Sequence, residues 1–497
     1  MSDSVDIGQL MGDSGVKFGT SGARGLVVEM TDRVCVAYTL AFLIYLREEK
    51  KLQTETPVAI AGDLRPSTHR IATAVAFAAR HLGHPVEFSG WIPSPAVALR
   101  GLEQKMPAIM VTGSHIPDDR NGIKFNTSEG EITKEDERGM VARSVSLPDA
   151  FDEHGMFLEG LPLLEAGVLG DINPKALVAY KNRYLESFPA ACLSGVRLGV
   201  YGHSAVGRDF LVELYASLGA DVVPLGFSET FVPVDTEAIR PEDVELARSW
   251  AAEHSLDSIV STDGDSDRPL ISDEEGRWIR GDVTGIVTAS YLGATAVATP
   301  VSCNTAVEKS RAFDSVVRTR IGSPFVIAGM AKASRAGAKR VVGYEANGGF
   351  LSWSDLSVPG GKTLSALPTR DAVVVHLAVL LSAQAKKCAV SEVFAELPER
   401  YTVSDRDQSF SQNRSKKLFD ELEDMSVAEV GEAFALGPLK GVDMTDGMRF
   451  TFASDEIVHL RPSGNAPELR CYAEAESDAR AVALVALGLE VARRLCP

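Results

Sequence analysis

Cysteine is scarce in this chain: six residues in 497, Cys35, Cys192, Cys303, Cys388, Cys471 and Cys496, with no C-x-x-C pair. Their scatter excludes a disulfide scaffold and a thiolate metal site, and fits reduced thiols in a cytoplasmic protein. Long apolar runs are missing too. No stretch approaches the ~18 residues that a membrane-spanning helix needs. The opening "MSDSVDIGQL" has no basic start followed by an apolar run, so no signal peptide is expected. Positive charge is in deficit, with 50 Lys and Arg against 68 Asp and Glu and a net charge of −18. That balance argues against nucleic acid or an anionic membrane as the main partner. It leaves open a small anionic substrate, because local basic groups override the global field over short distances. Low-complexity segments and short repeats are absent as well.

What is present is ordinary for a globular protein: 45% hydrophobic and 24% charged residues. The length requires several cores, three or four domains. "PVAIAGD" (57–63) reads as a strand, "THRIATAVAFAARHLG" (68–83) as a helix and "PAIMVTGSH" (107–115) as the next strand. The same order recurs over 196–226 and again between 294 and 349. Three βαβ regions predict mixed or parallel sheets with helices on both faces, an α/β fold whose ligands bind beyond the strand carboxyl ends. The last hundred residues read instead as antiparallel strands over 448–477 and a helix over 478–495, an α+β tail. Four domains are expected, at 1–168, 169–281, 282–396 and 397–497.

Four loops carry the chemistry. In "VTGSHIPDDRNGIKF" (111–125) Ser114 follows an apolar strand inside a turn whose free amides suit an anion. It reads either as a turn residue or as a nucleophile, with Lys124 as a cation or proton carrier. In "STDGDSDRPL" (261–270) Asp263, Asp265 and Asp267 alternate, and close carboxylates repel unless a cation neutralises them. Oxygen-only ligands point to Mg2+. An EF-hand is set aside because Arg268 stands where that loop needs glycine; a phosphatase with Asp263 as nucleophile stays open. "GYEANGGF" (343–350) offers Glu345 and Asn347, a carboxylate and an amide suited to a polyol. "RPSGNAPELR" (461–470) brings Arg461, Ser463, Gly464 and Arg470 together, a phosphate site or surface arginines paired with Glu468 or Glu474. "KFGTSGARG" (17–25) adds Arg24 in another glycine-rich turn.

The ordered set resembles the α-D-phosphohexomutase superfamily, the phosphomannomutases and phosphoglucomutases, over essentially the whole chain. "FGTSGARG" is similar to its N-terminal signature, "TGSHIPDDRNGIK" to its phosphoserine loop, "DGDSDR" to its metal loop, "YEANGG" to its sugar loop and "RPSGNAPELR" to its phosphate loop. The resemblance implies four domains around a central cleft. It implies Ser114 as the phosphorylated serine, with Asp263, Asp265 and Asp267, and Ser114 itself, around Mg2+. Arg24, His115 and Lys124 are implied at the reacting phosphoryl, Lys124 as general acid or base. Arg268, Glu345 and Asn347 would meet the sugar phosphate. Gly322 and Ser323, in "RTRIGSPF", would select the sugar, and Arg461, Ser463, Gly464, Asn465 and Arg470 would hold the non-reacting phosphate. The implied activity is a mutase converting hexose 1-phosphate to 6-phosphate through a 1,6-bisphosphate, which also serves as activator. The substrates would be small sugar phosphates and the assembly a monomer or dimer. Five positions depart from the pattern: Ile116 and Asn465-Ala466 in place of Asn and Thr-Glu, Asn347 in place of Ser, and Gly349 where some members carry His. The expected sugar is mannose phosphate, with some activity on glucose phosphate; the departures keep glucosamine or N-acetylglucosamine phosphate as the alternative. A sugar-phosphate-binding protein without turnover is a further reading.

Overall fold

The computed structural model describes residues 3–19, 22–462 and 468–496. Its backbone falls into two units, one running to Gly293 and including Asn347–Glu392, the other made of Ala294–Ala346 and the chain from Val393.

Among its described residues the first unit contains two large sheets and two two-stranded ones. In the larger, the apolar strand Val58–Gly62 lies parallel to Val86–Trp91 on one side and Ala108–Val111 on the other. Helices Thr68–His81 and Ser94–Gln104 make the crossovers. The central strands are apolar at successive positions because helices cover both faces. Past Ala108–Val111 the sheet turns antiparallel, through Arg120–Thr127 and then Gly22–Leu26. That reversal makes it mixed. The expected strand over 107–115 stops at Val111, since the residues from Thr112 leave the ladder to form the serine turn. The second sheet orders Asp221–Leu225, Arg197–Tyr201, Ser258–Thr262 and Pro269–Ile271, the first three parallel and the last antiparallel. Helix Arg208–Ser217 follows the glycine loop, as the sequence predicts.

In the second unit Ala296–Pro300 lies parallel to Ser315–Thr319 and to Val341–Tyr344, with helix Ser323–Arg335 crossing over. The tail is a five-stranded antiparallel sheet in the order Tyr401–Asp407, Leu469–Ala475, Ile457–Pro462, Met448–Phe452, Leu439–Asp443. Strand Met448–Phe452 alternates buried and half-buried residues, the pattern of a sheet covered on one face. Helix Asp478–Leu495 matches the expected 478–495, with Ser477 accepting from the Arg480 amide as its N-cap.

Candidate active site

The serine turn and the aspartate loop meet in the first unit. Ser114 has φ 58°, a left-handed backbone that costs a non-glycine residue on the order of 1–2 kcal/mol. Its amide donates to Thr112 Oγ1 at 2.8 Å, and its hydroxyl donates to Asp263 Oδ2 at 2.5 Å. Asp263 follows the strand Ser258–Thr262 of the second sheet, so this bond ties the carboxyl ends of two sheets together. Close approach is possible because residue 264 is glycine. A Cβ there would lie 2.6 Å from the Ser114 carbonyl oxygen.

The three aspartates are fully buried, and a ligand oxygen from each lies within 4.8 Å of the others. Asp263 Oδ1 accepts the amides of Asp267 and Arg268, which folds the loop around its own first carboxylate. Lys124 Nζ donates to Asp265 Oδ2 and Asp267 Oδ2, both at 2.6 Å. An internal ammonium thus supplies the neutralising charge that the spacing demands. Burial opposes that cation, but Asp265 and Asp267 outweigh it and raise the lysine to about 12. Burial likewise opposes ionisation of Asp267, yet Lys124, Arg370 and Arg268 hold its carboxyl at about 2. Asp263 is pushed well above the carboxylate range by burial and by the charges of Asp265 and Asp267. Asp265 Oδ1 and Asp267 Oδ1 are buried with no hydrogen-bond partner. Three converging carboxylates with two orphaned oxygens fit a hard divalent cation.

Arg24 and Lys124 share a sheet face: Gly22 lies opposite Lys124 and Arg24 opposite Gly122. Burial and then Arg268 work against the Arg24 cation, to about 10, leaving it charged at neutral pH. Arg268 Nη1 donates to His115 Nδ1 at 2.9 Å. Burial, then Arg268 and Arg24, push this imidazole down to about 2. His115 is therefore neutral, an acceptor that orients Arg268. Asn347 Oδ1 accepts the Gly349 amide at 2.9 Å, while its carbonyl accepts from Thr236 Oγ1.

In the second unit Gly322, with φ 125°, opens helix Ser323–Arg335, and Ser323 is buried at its first turn. Glu345 is buried just after Val341–Tyr344. Arg461 Nε donates to Asp446 Oδ2 at 2.8 Å, and the same oxygen accepts the Ile321 amide. Asp446 therefore links the turn before Gly322 to the last strand residues before the phosphate-type loop. Arg470 pairs with Glu468 at 2.8 Å. Ser463, Gly464 and Asn465 lie outside the described residues.

Asp446 and Arg370 are among the functional candidates that escaped the sequence reading. Asp446 sits in an unremarked turn. Arg370 is buried with Nη1 3.8 Å from Asp267 Oδ2, a further cation at the aspartate cluster. Its side chain lies across Gly349, where a Cβ would come 2.5 Å from Arg370 Cδ. The departure at Gly349 was the available signal, since a missing side chain leaves room for another.

Four family models match in succession: phosphoglucomutase/phosphomannomutase α/β/α domains I, II and III over 15–146, 180–276 and 280–401, and the C-terminal domain over 414–487. The chain belongs to the phosphoglucomutase/phosphomannomutase family. It is thus a phosphohexomutase, an intramolecular phosphotransferase of four-domain α/β architecture. Within this family it is 45% identical to a phosphomannomutase of Salmonella muenchen over 473 residues, covering 95% of this chain and 94% of that one. A phosphomannomutase of Sinorhizobium fredii is 41% identical over 478 residues, covering 96% and 98%. The fold is similar to that of a family protein from Burkholderia thailandensis, with TM-score 0.72 at 18% identity, over 96% of this chain and 97% of that one. No helix among the described residues is long and apolar enough to cross a membrane.

Proposed function

We propose that this phosphohexomutase acts on mannose phosphate, and on glucose phosphate as well, through a phosphoserine at Ser114. The carrying observation is the 2.5 Å bond from Ser114 Oγ to Asp263 within a cluster of three buried carboxylates. The two relatives above 40% identity, both phosphomannomutases, support the sugar. In the forward half-reaction the P–O bond to Ser114 breaks and one to the sugar hydroxyl forms, giving a hexose 1,6-bisphosphate. Ser114 Oγ takes a proton from Lys124, which is held protonated, and the lysine takes up the proton lost by the sugar hydroxyl, so it ends the half-reaction as it began. The second half runs the same exchange from the other phosphate and regenerates the phosphoserine, so added bisphosphate activates the enzyme. Mg2+, held by Asp263, Asp265, Asp267 and the Ser114 phosphoryl, would neutralise charge on the transferring group. Arg24 and Arg268 add positive charge, while His115 holds Arg268 in place. Glu345 and Asn347 bind sugar hydroxyls, and Gly322 and Ser323 shape that choice. Arg461 and Arg470, with Ser463, Gly464 and Asn465, hold the phosphate that is not reacting. The four domains divide at about residues 168, 281 and 396, in a cytoplasmic monomer or dimer.

An Asp263 phosphatase fits less well, because both oxygens of that carboxylate already accept bonds from its own loop and from Ser114. The test is turnover of mannose 1-phosphate and glucose 1-phosphate with Mg2+ and a trace of hexose 1,6-bisphosphate. Conversion of mannose 1-phosphate to the 6-phosphate is expected. Turnover of an amino-sugar phosphate alone would overturn the sugar assignment, and release of inorganic phosphate would overturn the mutase.

A further inference from the structure

Forty-nine residues before the serine, Arg65 lies beneath its turn with its side chain fully buried. One Nη2 donates to the carbonyls of Ser114 at 2.8 Å and Ile116 at 2.5 Å; Nη1 donates to those of Pro117 at 2.7 Å and Arg120 at 3.1 Å. Nε pairs with Asp63 Oδ2 at 3.1 Å. Every N–H of the guanidinium is thus spent on the turn or on Asp63. Asp63 Oδ2 also accepts from Thr112 Oγ1, and that hydroxyl oxygen in turn accepts the Ser114 amide. One ion pair therefore fixes the peptide groups on both sides of Ser114. The plane of Arg65 packs over Phe231, 4.1 Å from the ring centroid, and Phe231 flanks Gly264 of the aspartate loop. The pair so reaches both halves of the cluster without being part of it.

We infer that Asp63 and Arg65 are positioning residues for phosphoryl transfer, holding Ser114 in its left-handed conformation with its hydroxyl aimed at Asp263. The inference rests on Ser114 being the residue phosphorylated. A buried ion pair is a poor source of stability relative to apolar packing. Its value lies in geometry. Five donors in a planar fork meet four carbonyls that a lysine, with a single nitrogen, cannot span. Ser114 has no glycine freedom with which to reach its conformation unaided.

The experiment compares wild type with Arg65→Lys, Thr112→Val and Ser114→Ala. It measures steady-state turnover, the melting temperature, and by intact mass the rate at which hexose 1,6-bisphosphate phosphorylates the protein. Arg65→Lys keeps the charge opposite Asp63 but loses the fork. It is expected to stay folded, with kcat and the phosphorylation rate down about 100-fold and KM within a factor of three, the scale of a small misplacement. Thr112→Val, which removes the acceptor for the Ser114 amide without changing size, is expected to shift the same two rates in the same direction. It decides the matter if Arg65→Lys fails to fold. Ser114→Ala should take no phosphate at all. If that variant keeps mutase activity, the reading of Ser114 fails first. If Ser114→Ala is dead while folded Arg65→Lys keeps kcat within threefold of wild type, or Thr112→Val does so when the lysine variant is unfolded, the ion pair is only structural and the inference falls.

Discussion

Ser114 and Lys124 occupy opposite sides of one electrostatic problem, three carboxylates that burial forces together. Ser114→Ala removes the hydroxyl that donates to the Asp263 carboxylate. Mutase turnover should fall about 1,000-fold or more, the scale on which loss of a nucleophile acts, with no phosphate found on the protein. Retained turnover would rule out the serine route. Lys124→Gln removes the ammonium that neutralises Asp265 and Asp267. The metal-free protein should then melt lower, and Mg2+ should raise its melting temperature about 2 °C further than it raises that of wild type. Equal Mg2+ shifts in calorimetry would show that lysine and metal do not compete for these oxygens. The residues that could be read from the sequence were those whose chemistry is packed into one loop. Asp263, Asp265 and Asp267 need each other at spacing two, and Ser114 sits beside its own anion-binding turn. Arg65, Arg370 and Asp446 act across distances of tens of residues. "GDLRPSTHR" looks like any turn after a strand, and nothing local says that its arginine caps four carbonyls.

At the level of elements, the two large sheets of the first unit are brought to contact at strand ends. Alternation and apolar runs made the strands and helices legible, including Thr68–His81 and Asp478–Leu495. The end of Ala108–Val111 was not, because Thr112 and the residues after it are as compatible with a strand as with a turn until Asp263 claims the serine. Gly264 is where the two loops touch. Gly264→Ala would press a methyl against the Ser114 carbonyl 2.6 Å away. Overpacking of that kind costs about 1–3 kcal/mol. The expected result is a folded protein, with kcat lowered more than the melting temperature would suggest. Unchanged kcat would mean the loops separate freely at that point.

Over the whole molecule, buried histidines bear on acid stability, among them His203 in the first unit and His459 in the second. His203 Nε2 donates to the Thr262 carbonyl and His459 Nε2 to that of Asp446, leaving the Nδ1 of each buried without a partner. Burial lowers both to about 4 from 6.5. The unfolded chain takes up protons below pH 6.5 that the native state refuses. Stability from these two rings is therefore complete above pH 6.5 and declines as the pH falls to about 4. The loss is on the order of 3 kcal/mol for each. Urea unfolding at pH 7.5, 6.0 and 5.0 should show it, and His459→Gln should flatten part of the slope. A pH-independent midpoint across that range would contradict the assignment of neutral rings.

The bond between Ser114 and Asp263 also sets what can be exchanged between relatives. The serine belongs to a strand turn of one sheet, its acceptor to a loop of the next, and Gly264 and Phe231 lie in loops that follow strands of that second sheet. A recombinant that grafts the first sheet of one family member onto the remainder of another inherits half of a fitted contact. The smallest transplantable piece that keeps the contact intact is the pair of sheets, so crossover points between them should yield folded, inactive hybrids, while crossovers after residue 293 leave the contact whole.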